Sequence, residues 1–186
     1  AVAIGVDALA SITEGDFNVA IGYQALTAVT TGGSNFGLGT ESGKRITIGG
    51  NNVSVGAYTL RHVATTSGNV AIGGVAMDDV TGQDNAGIGA EAMRSASGGN
   101  YNIGIGTGTL GRYSNYTGST SVAIGYTAGA ALTSSTGGHV LIGFQAGGGL
   151  TTESNRLYID NSNTSSPLIG GNFSSNYLGI NKDVST

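Results

Sequence analysis

The sequence predicts an all-β protein, a parallel β-solenoid or β-roll of about nine coils of ~17 residues. Three observations carry that prediction. A Val-Ala-Ile-Gly-like tetrapeptide recurs at a nearly fixed interval, and β-branched residues alternate inside it. Glycine supplies 35 of the 186 residues without falling at every third place as in collagen. The glycines that close the tetrapeptide are Gly5, Gly22, Gly39, Gly56, Gly73, Gly89, Gly106, Gly125 and Gly143, giving steps of 17, 17, 17, 17, 16, 17, 19 and 18. A single coil buries too little apolar surface to offset a chain entropy of roughly 1–2 kcal/mol per residue, whereas stacked coils share ladders and a core. At the ~4.8 Å spacing of paired strands, nine coils make a rod on the order of 45 Å long.

The strand comes first in each unit. The residue before the glycine is always branched aliphatic: Ile4, Ile21, Leu38, Val55, Ile72, Ile88, Ile105, Ile124, Ile142. Two places earlier stand Val2, Val19, Phe36, Val53, Val70, Ala86, Ile103, Val122 and Val140. Such period-two alternation marks a strand with one face buried, and these two columns are expected to face the coil interior. The residue between them is Ala3, Ala20, Gly37, Ser54, Ala71, Gly87, Gly104 or Ala123, with Leu141 the large exception. Small residues on the opposite face indicate either a subunit interface, where another backbone comes close, or cover by a longer side chain of the same coil.

After the glycine, the fourth place carries Leu9, Leu26, Leu60, Met77, Met93 or Leu110, with glycine in the other three copies. The seventh carries Ile12, Val29, Ile46, Val63, Val80, Ala96, Tyr113, Leu132 and Leu150. This spacing fits a second strand or a short helical turn. A hydroxyl column follows, with Thr13, Thr30, Thr47, Thr81, Ser97, Ser114, Thr133 and Thr151. Asn18, Asn35, Asn52, Asn69, Asn85 and Asn102 then open six units, where stacked amides are expected to bond along the rod. Five of the seven basic residues (Lys44, Arg45, Arg61, Arg94, Arg112) and the pair Asp78-Asp79 share one edge, which is expected to face water. Arg61, Asp78 and Arg94 are placed to pair along that edge.

The organisation changes near the end. Residues 1–150 form the repeat solenoid, and residues 151–186 an atypical terminal coil and transition segment. Leu157-Tyr158-Ile159 lies 17 residues after the ninth strand, but Asp160 replaces the glycine and the only proline, Pro167, follows. The chain starts inside a repeat, so the sequence reads as a piece of something longer.

Composition excludes several functions. A net charge of −4 without clustered Lys and Arg argues against nucleic acid. With no cysteine, disulfides and thiolate metal sites are ruled out. No apolar run reaches the ~20 residues of a membrane span. No catalytic, cofactor or metal site is expected. His62 reads as a solvated residue of the charged edge. His139 replaces the ladder asparagine, where three copies around an axis are the one arrangement that would hold an ion. Asp160-Asn-Ser-Asn-Thr164 lacks the distal glutamate of a calcium loop and reads as a polar turn. Tyr23, Tyr126 and Phe144 share the column just after the glycine and are read either as packing or as a surface strip for glycan contact.

Asn18-Val-Ala-Ile-Gly-Tyr-Gln-Ala-Leu26 and Ser121-Val-Ala-Ile-Gly-Tyr-Thr-Ala-Gly129 resemble the glycine-rich repeats of bacteriophage and bacterial tail-fibre proteins and, less closely, the head repeats of trimeric autotransporter adhesins, whose unit is shorter. Leu157-Tyr-Ile-Asp-Asn-Ser-Asn-Thr-Ser-Ser-Pro-Leu-Ile169 with Leu178-Gly-Ile-Asn181 is similar to the segment that precedes an intramolecular chaperone domain in tail fibres. The resemblance implies a homotrimer, an extracellular location on a virion tail fibre or bacterial cell surface, and attachment to a cell-surface glycan or protein receptor. A non-enzymatic fibre segment is therefore the expected function. The alternatives are an ice-binding solenoid, suggested by the hydroxyl column, a non-catalytic glycan-binding module, and a glycan hydrolase. Scattered acidic residues speak against the last.

Overall fold

A computed structural model describes residues 1–112, 115–133 and 137–181. Nine three-residue strands follow one another: β1 Val2–Ile4, β2 Val19–Ile21, β3 Phe36–Leu38, β4 Val53–Val55, β5 Val70–Ile72, β6 Ala86–Ile88, β7 Ile103–Ile105, β8 Val122–Ile124 and β9 Val140–Ile142. Each pairs in parallel with the next, with tetrapeptide residues directly opposed, as in Val2↔Val19 and Ile4↔Ile21. The longer steps keep that register, since Ile103 still opposes Val122. β10 (Arg156–Ile159) adds one more parallel strand, with Leu157 opposite Val140. β11 (Ile169–Asn172) and β12 (Tyr177–Ile180) then run antiparallel. Only nine residues separate β10 from β11, too few for another coil, so the chain turns back on itself.

The segment after each repeat glycine is neither a second strand nor a helical turn. It is a run of tight turns whose bonds alternate between the same coil (Ala25 N–H to Gly22 O, 3.3 Å) and the next (Leu26 N–H to Ser42 O, 2.9 Å). That path needs left-handed residues two and four places after the glycine, and Asp7, Leu9, Gln24 and Leu26 all have φ between 50 and 57°. It explains why glycine alternates with Leu or Met in the fourth place. The repeat glycine is constrained differently. Gly73 has φ +121°, and a Cβ there would lie 2.6 Å from the carbonyl of Gly89 in the next coil.

The facing of the strands is the reverse of the expectation. Ala20, Ser54, Ala71, Ala123 and Leu141, the middle residues, are buried inside the coil, while the flanking Val and Ile columns point outward. Longer side chains of the solenoid's own coils therefore cover the small residues, and that column is not a surface where another subunit could approach. The physical reason is width. The Leu or Met in the fourth place crosses the coil and touches the middle residue of the next strand, so a Cβ at Gly37 would lie 2.8 Å from Leu26 Cγ and one at Gly104 2.7 Å from Met93 Cγ. Leu141 confirms the rule by inverting it. Its methyls reach within 2.8 Å of the Cβ sites of Gly129 and Gly147, two of the glycines that replace the crossing leucine.

The seventh-place column is buried from Val29 onward as expected, apart from Tyr113, which lies outside the described residues, as does Ser114. Tyr116 of that coil is buried, and its hydroxyl lies 2.7 Å from Ser121 Oγ.

The asparagine ladder forms. Asn35 N–H donates to Asn18 Oδ1 at 2.9 Å, and Asn18 Nδ2 donates to Gly32 O at 2.7 Å. The pattern runs to Asn102, passes to Ser121 and then His139, and ends where Arg156 N–H meets His139 Nδ1 at 3.4 Å. All six asparagines are buried, each satisfying a backbone donor above and a carbonyl beside it.

Candidate functional site

The outward face of the nine parallel strands is the most distinctive surface. Two columns of Val, Ile, Leu, Phe and one Ala run its length, and no charged residue interrupts them. Mid-stack, the second column stays exposed, with Ile72 at 37% and Ile105 at 39%, while Val53, Val55 and Val70 are half-buried. The eighteen residues, ten of them exposed and eight half-buried, present on the order of 1,000 Å² of contiguous apolar surface, where monomeric proteins rarely expose more than a few hundred. Sequence reasoning missed this face. The signal that could have revealed it was the Leu or Met column, which already fills the coil and leaves room only for Ala or Gly opposite.

The three residues of the expected aromatic strip are all exposed, but the structure does not bring them together. Tyr23 lies on the second coil, while Tyr126 and Phe144 occupy adjacent coils near the other end. Tyr126 and Phe144 stack with ring centroids 5.4 Å apart and an interplanar angle of 13°. Beside Tyr126 is a cavity of about 200 Å³ lined partly by Thr127, Gln145 and Asn163. The stacked pair covers one ring face of each partner and leaves the rest of both rings exposed.

On the charged edge, Arg61 donates to both carboxylate oxygens of Asp78, Nε at 3.1 Å and Nη2 at 3.0 Å, and Asp78 is buried rather than solvated. This bond holds the Arg61 guanidinium above its ordinary pKa, and the guanidinium also lies 4.9 Å over the Tyr58 ring. Arg94 does not join that ladder; it and Arg112 pair with Glu91, at 3.8 and 2.9 Å. His62 is exposed and its Nδ1 sits 2.8 Å from Asp79 and 3.3 Å from Asp78. The three side chains are close enough to hold a cation. Arg61 already engages both oxygens of Asp78, so the group is better described as an ion-pair cluster.

His139 is fully buried inside its coil, so three copies of it cannot ring an external axis. Burial pushes its pKa down to about 4, with a backbone hydrogen bond at Glu153 opposing the shift. Neutral imidazole suits the place, since Nδ1 must accept the Arg156 N–H. The Asp160 carboxylate is engaged within its own loop by Asn161 N–H (2.8 Å) and Ser162 Oγ (3.0 Å), as a polar turn requires.

The hydroxyl column is also engaged. Thr13, Thr47 and Thr133 donate to the carbonyls of Thr30, Ala64 and Thr151 in the following coil, at 3.1, 2.9 and 3.0 Å. Among the described residues, no helix is long and apolar enough to cross a membrane. Comparison with protein-family models, with curated proteins and with solved structures found no match to this chain.

Proposed function

We propose that this chain is a non-catalytic structural segment of a homotrimeric fibre, of the tail-fibre or surface-adhesin type, that works outside the cell in attachment to a cell surface. The observation that carries the reading is the outward aliphatic face of the solenoid. A face of about 1,000 Å² per chain exceeds the ~800 Å² per partner of a standard stable interface. Its two columns, kept in register from strand to strand, match the rise of a neighbouring solenoid lying alongside, and threefold closure leaves no copy of the face open to water. The backbone ladders supply a stiff rod and the interior a continuous core, which suits a spacer under load better than an enzyme.

The test is the mass of the assembly. Light scattering coupled to size exclusion is expected to give three chains, and the double variant Ile72→Lys/Ile105→Lys to give one. A stable wild-type monomer would sink the proposal. The ice-binding reading is disfavoured by the threonines, whose hydroxyl protons point into neighbouring coils instead of towards an ordered water lattice; thermal hysteresis in a freezing assay would restore it.

A further inference from the structure

We infer that the C-terminal end of the solenoid carries a binding cavity for a carboxylate-bearing sugar, with Arg156 as its anion anchor. The cavity measures about 400 Å³, within the range of small-molecule sites, and is lined by Arg156, Tyr158, Ser165, Ser166, Tyr177 and Asn181 among others.

Its origin lies in the fold. Arg156 follows His139 in the ladder column, and Tyr158 opposes Leu141 in the column of middle strand residues, so both continue the interior of the coils above. In most of the coils above, a Leu or Met in the fourth place, or Leu141 beside Gly129 and Gly147, fills that interior. Here the chain turns back without supplying such a Leu or Met. On the two antiparallel strands the residues in line with Tyr158 are Gly170 and Gly179, which place no side chain in the space. The result is an end of the coil interior lined by polar groups.

The arginine is the second, independent observation. Its Nε is buried without a hydrogen-bond partner, and it forms no ion pair among the described residues. Every other arginine whose contacts are given above has an acidic partner. The fork of a guanidinium fits a carboxylate through two parallel bonds. The phenol rings of Tyr158 and Tyr177 offer flat surfaces to the C–H face of a pyranose. The hydroxyls of Ser165 and Ser166, both exposed, and the Asn181 amide supply partners for ring hydroxyls. Guanidinium, aromatic face and hydroxyls together favour a uronic-type sugar over a bare anion or a neutral sugar. This inference deepens the attachment reading by naming a ligand class, and rests on that reading for its purpose; the cavity itself is built within one chain.

The test is a titration of the intact protein with sodium glucuronate at fixed ionic strength, followed by calorimetry and by amide shifts of Gly170 and Gly179. Glucose, sodium acetate and sodium sulfate serve as comparison ligands. Saturable glucuronate binding in the millimolar range is expected, with each comparison ligand about tenfold weaker or more. Arg156→Gln should abolish the preference for glucuronate over glucose. Tyr177→Ala, at an exposed position, should weaken binding several-fold without altering the fold, and stands in if Arg156→Gln does not fold. No saturable binding, equal binding of acetate or sulfate, or unchanged glucuronate binding in the folded variants would each overturn the assignment. Because the mass of the assembly is measured separately, a trimer without sugar binding refutes only this inference, and a monomer that binds refutes only the fibre reading.

Discussion

Replacing Asn52 by alanine is expected to expose how much of the rod's stability resides in the amide ladder. In the native coil, Asn52 Oδ1 accepts Asn69 N–H at 3.1 Å and Nδ2 donates to Thr66 O at 2.8 Å and to Asn35 Oδ1 at 3.0 Å. The backbone N–H of residue 52 keeps its own bond to Asn35 Oδ1, at 3.1 Å, whatever the side chain. Alanine therefore leaves two buried groups without partners, the Asn69 N–H and the Thr66 carbonyl. At about 1–3 kcal/mol for each orphaned group, the expected loss is roughly 2–6 kcal/mol. Serine is the internal control, because Ser121 already accepts His139 N–H in the same column at 3.1 Å. It restores the acceptor but cannot reach the carbonyl, so Asn52→Ser should lose about half as much. Urea unfolding gives the global figure. Repeat arrays can depart from two-state behaviour, so hydrogen exchange at the Asn69 amide gives the local one. A loss under about 1 kcal/mol for Asn52→Ala, or equal losses for alanine and serine, would refute the reasoning.

Three other outcomes follow from the geometry. Gly73→Ala meets both a left-handed backbone and a carbonyl 2.6 Å away, and should cost about 2–4 kcal/mol in thermal or urea unfolding, while Gly74→Ala, with nothing within 4 Å, should change stability by less than ~0.5 kcal/mol. Leu141→Ala should cost about 2–5 kcal/mol by opening a cavity, and adding Gly129→Leu, which supplies the crossing side chain found in other coils, should recover part of it. His139 makes stability acid-sensitive. Its folded pKa of about 4 lies below the unfolded 6.5, so the unfolded chain binds the proton first, and stability present above pH 6.5 falls as pH drops towards 4. The loss approaches roughly 3–4 kcal/mol, from 2.5 pH units at about 1.4 kcal/mol each, and an equal acid loss in His139→Asn would exclude this residue as the source.

Much of the architecture was legible in the sequence. The period, the strand positions, their parallel register, the asparagine ladder and the tenth strand at Leu157–Ile159 all follow from spacing, because coils of equal length place equivalent residues one above another. The facing of the strands was not legible from alternation alone, since a three-residue strand can bury either its centre or its flanks. The choice is made by Leu26, Met77, Met93 and their equivalents, which adopt left-handed conformations and cross the coil. Nothing in a leucine announces a positive φ; only its exchange with glycine at residues 43, 129 and 147 hints at it. The local pairing on the charged edge was also hidden. Arg94 and Arg112 both reach Glu91, which belongs to a different column from Asp78, and the choice depends on side-chain reach. Tyr116 escaped because the coil that holds it is two residues longer than most, which shifts the column count.

The amide ladder has one more implication, for how such a molecule can change over generations. Each rung is completed by the next, so deleting or duplicating one whole unit leaves every inner rung with the same neighbours and only alters the reach of the rod. Losing half a unit would strand amides at the cut. Extra residues are harmless only where they leave the rungs joined, as between Asn102 and Ser121, whose bond holds at 2.9 Å across 19 residues. Length in this protein is therefore a quantity that heredity can adjust by counting, much as a ruler is lengthened by whole divisions.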